Sequence, residues 1–181
     1  MQAINIIGAG LAGLSAAMTL AEQGVSCNLI SLQQSERAQS VLAEGGINSA
    51  LNTMGENDCP EEHYADTMKA GVDIADPEAV KGLTEHAPEI LLELKRLGVA
   101  FHLRNEQIQQ RNFGGQKKKR TAYARSSTGK VLMTALIDET RKYEASGLVV
   151  RYSHHELADL LVQKGGGRCL GAVIRDTYTR S

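Results

Sequence analysis

Several features that would place this chain quickly are missing from it. No apolar run is long enough to cross a bilayer, and the first apolar segment begins almost at Met1, which leaves no room for a secretory signal. The cysteines, Cys27, Cys59 and Cys169, are odd in number and lack paired metal-ligand spacing. That argues against a disulfide framework and for a reducing compartment. A formal net charge of -1 argues against a general nucleic-acid binder. These absences lead to the expectation of a cytoplasmic protein with no direct membrane insertion, no nucleic-acid partner and no metal. What remains is 181 residues, 42% of them hydrophobic, enough for a domain of ordinary size with a buried core.

The stretch around which the chain is organised is its opening run, Ile4-Asn5-Ile6-Ile7-Gly8-Ala9-Gly10-Leu11-Ala12-Gly13. A short apolar strand enters a glycine turn and leaves as a helix, with Leu11, Leu14, Ala17, Met18 and Ala21 on one face and Gly24 as its stop. This is the pattern of a dinucleotide-binding βαβ unit. Gly8 turns the chain out of the strand, Gly10 lets backbone N–H groups approach a pyrophosphate, and Gly13 lets helix pack on strand. The helix N-terminus, with its unpaired N–H groups and dipole, then favours the anion. Val25 to Ile30 reads as the second strand.

A further absence separates the possible dinucleotides. Nicotinamide-binding units place an acid about 20 residues beyond the glycines to hold the adenosine ribose. Here the second strand ends Leu29-Ile30-Ser31-Leu32-Gln33, without the acid; Ser31 can still hydrogen-bond a ribose, with less energy than a carboxylate. Beyond it, Ala43-Glu44-Gly45-Gly46-Ile47 is a glycine-bearing passage where backbone can lie flat against a ring larger than a phosphate.

The run Arg37-Ala38-Gln39-Ser40-Val41-Leu42-Ala43-Glu44-Gly45-Gly46-Ile47 resembles, without a gap, the flavin-contacting segment R-S-H-T-x-x-A-Q-G-G-I of the succinate dehydrogenase and fumarate reductase flavoproteins. L-aspartate oxidases share the pattern. Membrane-associated members attach their flavin through the histidine; Gln39 stands there, so the resemblance implies FAD held non-covalently. Loss of the covalent bond leans towards fumarate-type reduction or an oxidase. Glu44 replaces a usual glutamine and adds a negative charge.

Further along, Glu61 to Ala70 reads as a helix, Asp76 and Pro77 start another over Ala79 to His86, and Pro88 starts a third, Glu89 to Leu97, ended by Gly98. This helical excursion, about 59–98, contains Thr84-Glu85-His86-Ala87-Pro88, similar to a T-E-x-A-P of the family. His63, His86 and His102 read as surface or helix-end residues without ligand spacing. Gln110-Arg111-Asn112-Phe113-Gly114-Gly115-Gln116 resembles the family loop Q-R-x-F-G-G-Q, which implies Phe113 as a substrate-pocket residue. Lys117 to Arg120 reads as a solvated basic run, able to attract a dianion at long range.

From Thr128 a helix runs to about Ala145 with Val131, Leu132, Ala135, Leu136 and Thr140 inward. Leu148 to Tyr152 reads as a third parallel strand, and Leu157 to Gln163 with Cys169 to Arg175 as a hairpin across Lys164-Gly165-Gly166-Gly167-Arg168. His154 and His155 diverge in extended chain, which argues against a metal.

The expected fold is therefore α/β, a Rossmann-like FAD-binding βαβ domain with a helical insertion and a β-hairpin, incomplete at its C-terminus. The expected FAD contacts are Gly8, Ala9, Gly10, Leu11, Ala12, Gly13, Ser31, Leu32, Gln39, Ser40, Ala43, Gly45 and Gly46, with backbone near Glu156 and Leu157 on the adenine. The resemblance also implies hydride exchange between flavin and a C4 dicarboxylate such as fumarate or succinate, with an iron-sulfur subunit as a partner. It further implies that residues 1–181 are an N-terminal part, lacking the capping domain with its proton donor and carboxylate clamps, and the chain that returns to complete the flavin site. No catalytic residue is then expected within the chain, and the chain alone is expected to be inactive. The alternatives are an L-aspartate oxidase-like enzyme and a non-catalytic nucleotide-binding module.

Overall fold

The computed structural model describes residues 3–72 and 74–180. In chain order the elements are β1 (Ile4–Ile7), α1 (Leu11–Glu22), β2 (Cys27–Ser31), β3 (Ile47–Asn48), α2 (Pro60–Gly71), α3 (Pro77–Arg96), β4 (Leu103–Arg104), β5 (Gln107–Ile108), β6 (Gln110–Arg111), β7 (Thr121–Ala122), α4 (Thr128–Ala145), β8 (Val149–Ser153), β9 (His155–Val162) and β10 (Cys169–Asp176). Two short 3-10 turns, Ser35–Arg37 and Gln39–Leu42, follow β2. The chain forms two compact units: one takes everything up to Val41 together with the chain from Met133 onward, and the other is Leu42–Leu132.

The first unit is built on a parallel sheet of order β1-β2-β8, with Ile4 opposite Cys27, Ile7 opposite Ile30, and Cys27 opposite Val149. α1 is the crossover between its first two strands and buries Leu14, Ala17, Met18 and Ala21, with Leu11 half-buried. That spacing is one helical stripe, and the helix stops where Gly24 takes φ +73° and donates to the Ala21 carbonyl. β2 begins and ends later than Val25 to Ile30: Cys27 to Ile30 pair with both neighbouring strands, and Ser31 continues the pairing with Ser153 of β8. Central position explains its composition: Cys27, Leu29, Ile30 and Ser31 are all buried.

Met133, Leu136, Ile137 and Thr140 of α4 are buried in this unit, while Ala135, expected inward, is only half-buried. The inward stripe is thus rotated slightly from the predicted one. β9 and β10 form the expected antiparallel hairpin, from His155 opposite Asp176 to Val162 opposite Cys169, with two register shifts. Gly165, Gly166 and Gly167 at its tip all have positive φ, which only glycine adopts readily over three successive residues.

The second unit holds α2 and α3 packed on each other, a small antiparallel sheet β3-β7-β6, and the β4–β5 hairpin. Asp76 caps α3 as expected, its Oδ1 accepting from Glu78 N–H at 2.9 Å and Ala79 N–H at 3.2 Å. The predicted break at Pro88 does not occur: α3 is one helix of 20 residues, so the excursion has two helices where three were expected. Proline inside a helix costs about 3 kcal/mol or more. Against that, Thr84, Ala87, Leu91 and Leu94 form one buried stripe at spacings of three and four that runs straight through the proline. Breaking the helix there would turn half the stripe out of the core.

Candidate functional site

In the first unit the site is the turn after β1. Gly8 has φ +109° and donates its N–H to the Ile30 carbonyl at 2.7 Å, which ties the turn to β2. Gly10 is the N-cap of α1, in extended conformation, with no side-chain cap and no acid in the first turn. The first intrahelical bond is Leu14 N–H to the Gly10 carbonyl at 3.0 Å, so the N–H groups of Leu11, Ala12 and Gly13 precede the ladder. One of them is engaged: Leu11 N–H points to Ser40 Oγ at 3.4 Å, a long bond. Gly13 is required by space, since a Cβ there would lie 1.8 Å from the Gly8 carbonyl oxygen. At Gly10 a Cβ would meet Ser40 Oγ at 3.1 Å, a milder conflict.

An open cavity of about 360 Å3 lies at this turn, lined among others by Gly8, Ala9, Ser31, Leu32, Arg37 and Gln39. Its lining suits an anionic ligand: Gly8 and Ala9 of the turn that leads into the uncapped start of α1, no carboxylate, and one cation. Ser31 is buried and donates its hydroxyl proton to the Gln33 carbonyl at 2.6 Å, so towards a ligand it acts only as an acceptor. Leu157 lies on the hairpin, 41% exposed, opposite Ile174, and its neighbour Glu156 is ion-paired to Arg175.

In the second unit the glycine passage is clamped from two sides. The Gly45 carbonyl accepts from Arg111 Nη2 at 2.9 Å, and a Cβ on Gly45 would stand 3.0 Å from Phe113 Cζ. Gly46 has φ +121°, and a Cβ there would stand 2.5 Å from both the Ala122 carbonyl oxygen and Thr121 Cγ2. Glycine at both positions therefore lets the backbone thread between the Phe113 ring and β7. Phe113 remains 52% exposed, with its ring over Gly45. Ala43 has its carbonyl occupied by Gly129 N–H at 2.7 Å, while Glu44 is exposed. Arg111 also lies 4.4 Å over the Tyr123 ring, which stacks on His102.

The basic run is solvated at Lys117 and enclosed at Arg120. Arg120 is fully buried and forms a bidentate pair with Asp58, Nη2–Oδ1 2.8 Å and Nε–Oδ2 3.1 Å, and a second pair with Asp66 at 3.1 Å. Lys117 pairs with Asp66, and Lys119 with Glu56. The run staples its loop to the start of α2. Glu56, Asp58 and Asp66 take up most of its charge, which weakens the long-range pull on a dianion. His63 also differs from expectation: it is 4% exposed, and its Nδ1 has no hydrogen-bond partner. His86 is exposed, its Nδ1 2.7 Å from the Gly82 carbonyl. His154 and His155 contact Tyr178 and Tyr152, and no cluster of metal-binding side chains occurs among the described residues.

Burial, and then the Arg120 charge, hold His63 below its ordinary value of 6.5 against the opposing pull of Asp58 and Asp66. The native state therefore keeps His63 neutral while the unfolded chain takes up a proton below about 6.5. Stability present above that value is lost as the pH falls. Asp66 works in the same direction but lower: burial opposes its ionisation, yet the Lys117 amide, Arg120 and Lys117 together hold it below 3.8. Urea unfolding between about pH 7 and about pH 5 should thus show declining stability, and His63→Gln should flatten the slope. An unchanged slope in the variant would remove His63 as its source.

Comparison with known proteins agrees with this geometry. Residues 4–181 match the family described as FAD binding domain, and the chain belongs to it. Within it the chain groups with the flavoprotein subunits of succinate dehydrogenases and fumarate reductases. It is 42% identical over 177 residues to the succinate dehydrogenase flavoprotein subunit of Bacillus subtilis, covering 97% of this chain and 28% of that protein. It is 33% identical to the 8-methylmenaquinol:fumarate reductase flavoprotein subunit of Wolinella succinogenes, again covering 97% and 28%. Among solved structures, the Escherichia coli quinol fumarate reductase superposes with a TM-score of 0.86 at 28% identity, over 96% of this chain and 29% of that one. The chain thus spans about three tenths of the length of the relatives it matches. FAD is the cofactor of this family, and no described helix is long and apolar enough to cross a membrane.

Proposed function

We propose that this chain is the FAD-holding part of a flavoprotein that exchanges hydride with a C4 dicarboxylate. The observation that carries the reading is the uncapped start of α1, reached through the Gly8 turn, where Gly8 and Ala9 line a cavity free of carboxylates. Gly8, Ala9, Gly10, Leu11, Ala12 and Gly13 would receive the diphosphate on backbone N–H groups; Ser31 and Leu32 would face the adenosine ribose, and Leu157 the adenine. Gln39, Ser40, Ala43, Gly45 and Gly46 would line the path of the flavin. When bound, FAD supplies two-electron hydride chemistry at its ring. The protein's own contribution is position and field: amides that balance diphosphate charge, and a Phe113 ring that excludes water beside Gly45.

Gln39 has no imidazole, so the flavin is held without a covalent bond. On the resemblance to the family, the proton donor and the groups that clamp a dicarboxylate would come from chain beyond the matched span, and an iron-sulfur subunit would be a partner of the whole enzyme. Residues 1–181 are accordingly an N-terminal part whose helical excursion, about 59–98, precedes a capping domain in the longer proteins.

Acid precipitation of the FAD-loaded chain should leave all flavin in the supernatant, and the loaded chain should reduce fumarate no faster than free FAD. Flavin remaining in the pellet, or turnover above free FAD, would contradict the reading.

A further inference from the structure

We propose that the second unit carries a binding site for a small monocarboxylate with an apolar body, the carboxylate held by Arg125 and the body seated in a cavity between the start of β4 and the turn leading into α4. The proposal goes beyond the FAD reading and draws on none of the residues named in it. The cavity has a volume of about 540 Å3, inside the usual ligand range of about 300–1,000 Å3. Its walls are mainly apolar: Phe101 and Ala124, 6% and 5% exposed, line it together with Leu103 and Val131. Leu103 is half exposed, so covering it with an apolar ligand is favourable. The polar side chains of the lining are Arg125, His102 and Ser127, and no carboxylate is among them.

Arg125 makes no side-chain hydrogen bond or ion pair with a described residue, whereas Arg111 and Arg120 of the same unit are both engaged. Its backbone is nevertheless fixed, with φ +51°, in the left-handed region that residues with a Cβ avoid. The residues around it impose that conformation. The Tyr123 carbonyl accepts from His102 N–H at 2.8 Å, Ala124 N–H donates to the buried Thr128 Oγ1 at 3.1 Å, and Ser127 N–H closes the turn on the Ala124 carbonyl at 3.1 Å. An uncommitted guanidinium thus hangs from a fixed corner of the cavity wall.

The other two polar groups suit the same ligand. His102 stacks on Tyr123, ring centroids 5.0 Å apart and planes 17° from parallel, so its imidazole is held as part of the wall. The Ser127 hydroxyl reaches the Ala124 carbonyl only at 3.4 Å, a bond long enough to be exchanged for one to a ligand oxygen. A carboxylate matches the planar N–H fork of the arginine with its two oxygens, and the hydroxyl proton adds a third bond. A phosphate or a second carboxylate would set further charge against Phe101, Leu103, Ala124 and Val131, which have no polar atom to offer it.

The test is titration of the 181-residue chain with benzoate, benzamide and inorganic phosphate, followed through backbone amide NMR shifts. Benzoate should move the amides of Phe101 to Leu103 and Ala124 to Ser127 to saturation, and should bind about tenfold more tightly than benzamide, which has the same shape without the charge. Arg125→Gln should bring benzoate down to the benzamide level, and Arg125→Lys should keep part of the difference, since it retains the charge without the fork. Val131→Phe, which adds bulk to the apolar wall, should weaken benzoate and benzamide alike. Phosphate binding as tightly as benzoate would make Arg125 a general anion contact and overturn the site. So would benzoate affinity of Arg125→Gln within about twofold of wild type, or no saturable benzoate binding in the millimolar range. Arg125 is exposed, and unchanged amide shifts outside the cavity check that the variant folds. FAD is in none of these titrations, so the FAD reading stands or falls separately.

Discussion

Replacing Arg120 by methionine should cost about 3–5 kcal/mol of unfolding free energy in urea, the effect of leaving buried carboxylates without their partner. The Asp58 and Asp66 side chains are 2% and 8% exposed, so neither has much water to turn to when the guanidinium is removed. The pair is costly to form and far more costly to break on one side. Asp58→Asn and Asp66→Asn added to Arg120→Met should therefore restore much of the loss. A decrease below about 1 kcal/mol in the single variant would mean that the network is solvated and the clamp is not what holds this loop. The Arg120 carbonyl also accepts from Gln110 Nε2 at 2.8 Å and from Ser49 N–H at 2.9 Å. Losing the side chain should thus loosen the loop that carries Phe113, and amide exchange across Gln110 to Thr121 should accelerate.

Gly13→Ala should be the most damaging single methyl group in the first unit. Its Cβ would fall 1.8 Å from the Gly8 carbonyl oxygen, which is backbone and cannot rotate away. Either α1 moves off β1 or the Gly8 turn opens, and both displace the amides that face the cavity. Overpacking of this kind costs about 1–3 kcal/mol, and FAD affinity should fall by more than about tenfold. Gly114→Ala is the matched control: nothing lies within 4 Å of its would-be Cβ and its φ is not positive, so stability should change by less than about 0.5 kcal/mol. Equal FAD affinity in Gly13→Ala and wild type would place the ligand elsewhere.

What could be read from the sequence was what is decided locally. The strand, glycine turn and α1 are specified within two dozen residues by periodicity and by three glycines, and the structure reproduces them, including the stop at Gly24. Asp76 likewise announces the start of α3 because a cap acts over three residues. The same locality explains the errors. Pro88 looked like a boundary because a proline penalty is local, whereas the stripe from Thr84 to Leu94 wins only once the second unit has a core to bury it in.

Lys117 to Arg120 looked like a solvated run because the partners that bury Arg120 lie far away, Asp58 being 62 positions distant. No local pattern distinguishes an arginine destined for a buried pair from its three lysine neighbours. His63 follows from the same network, since it was read on its own helix and not beside Arg120. Phe113 over Gly45 is likewise a contact between loop residues far apart in sequence, which no local pattern announces.

The account depends most on the α1 turn binding FAD. Titrating FAD with the purified chain and following quenching of flavin fluorescence tests this directly. Saturation at one FAD per chain, competed by ADP and lost in Gly13→Ala, is the result expected. Flavin fluorescence that stays unquenched at every protein concentration, or quenching that ADP leaves untouched, would contradict it.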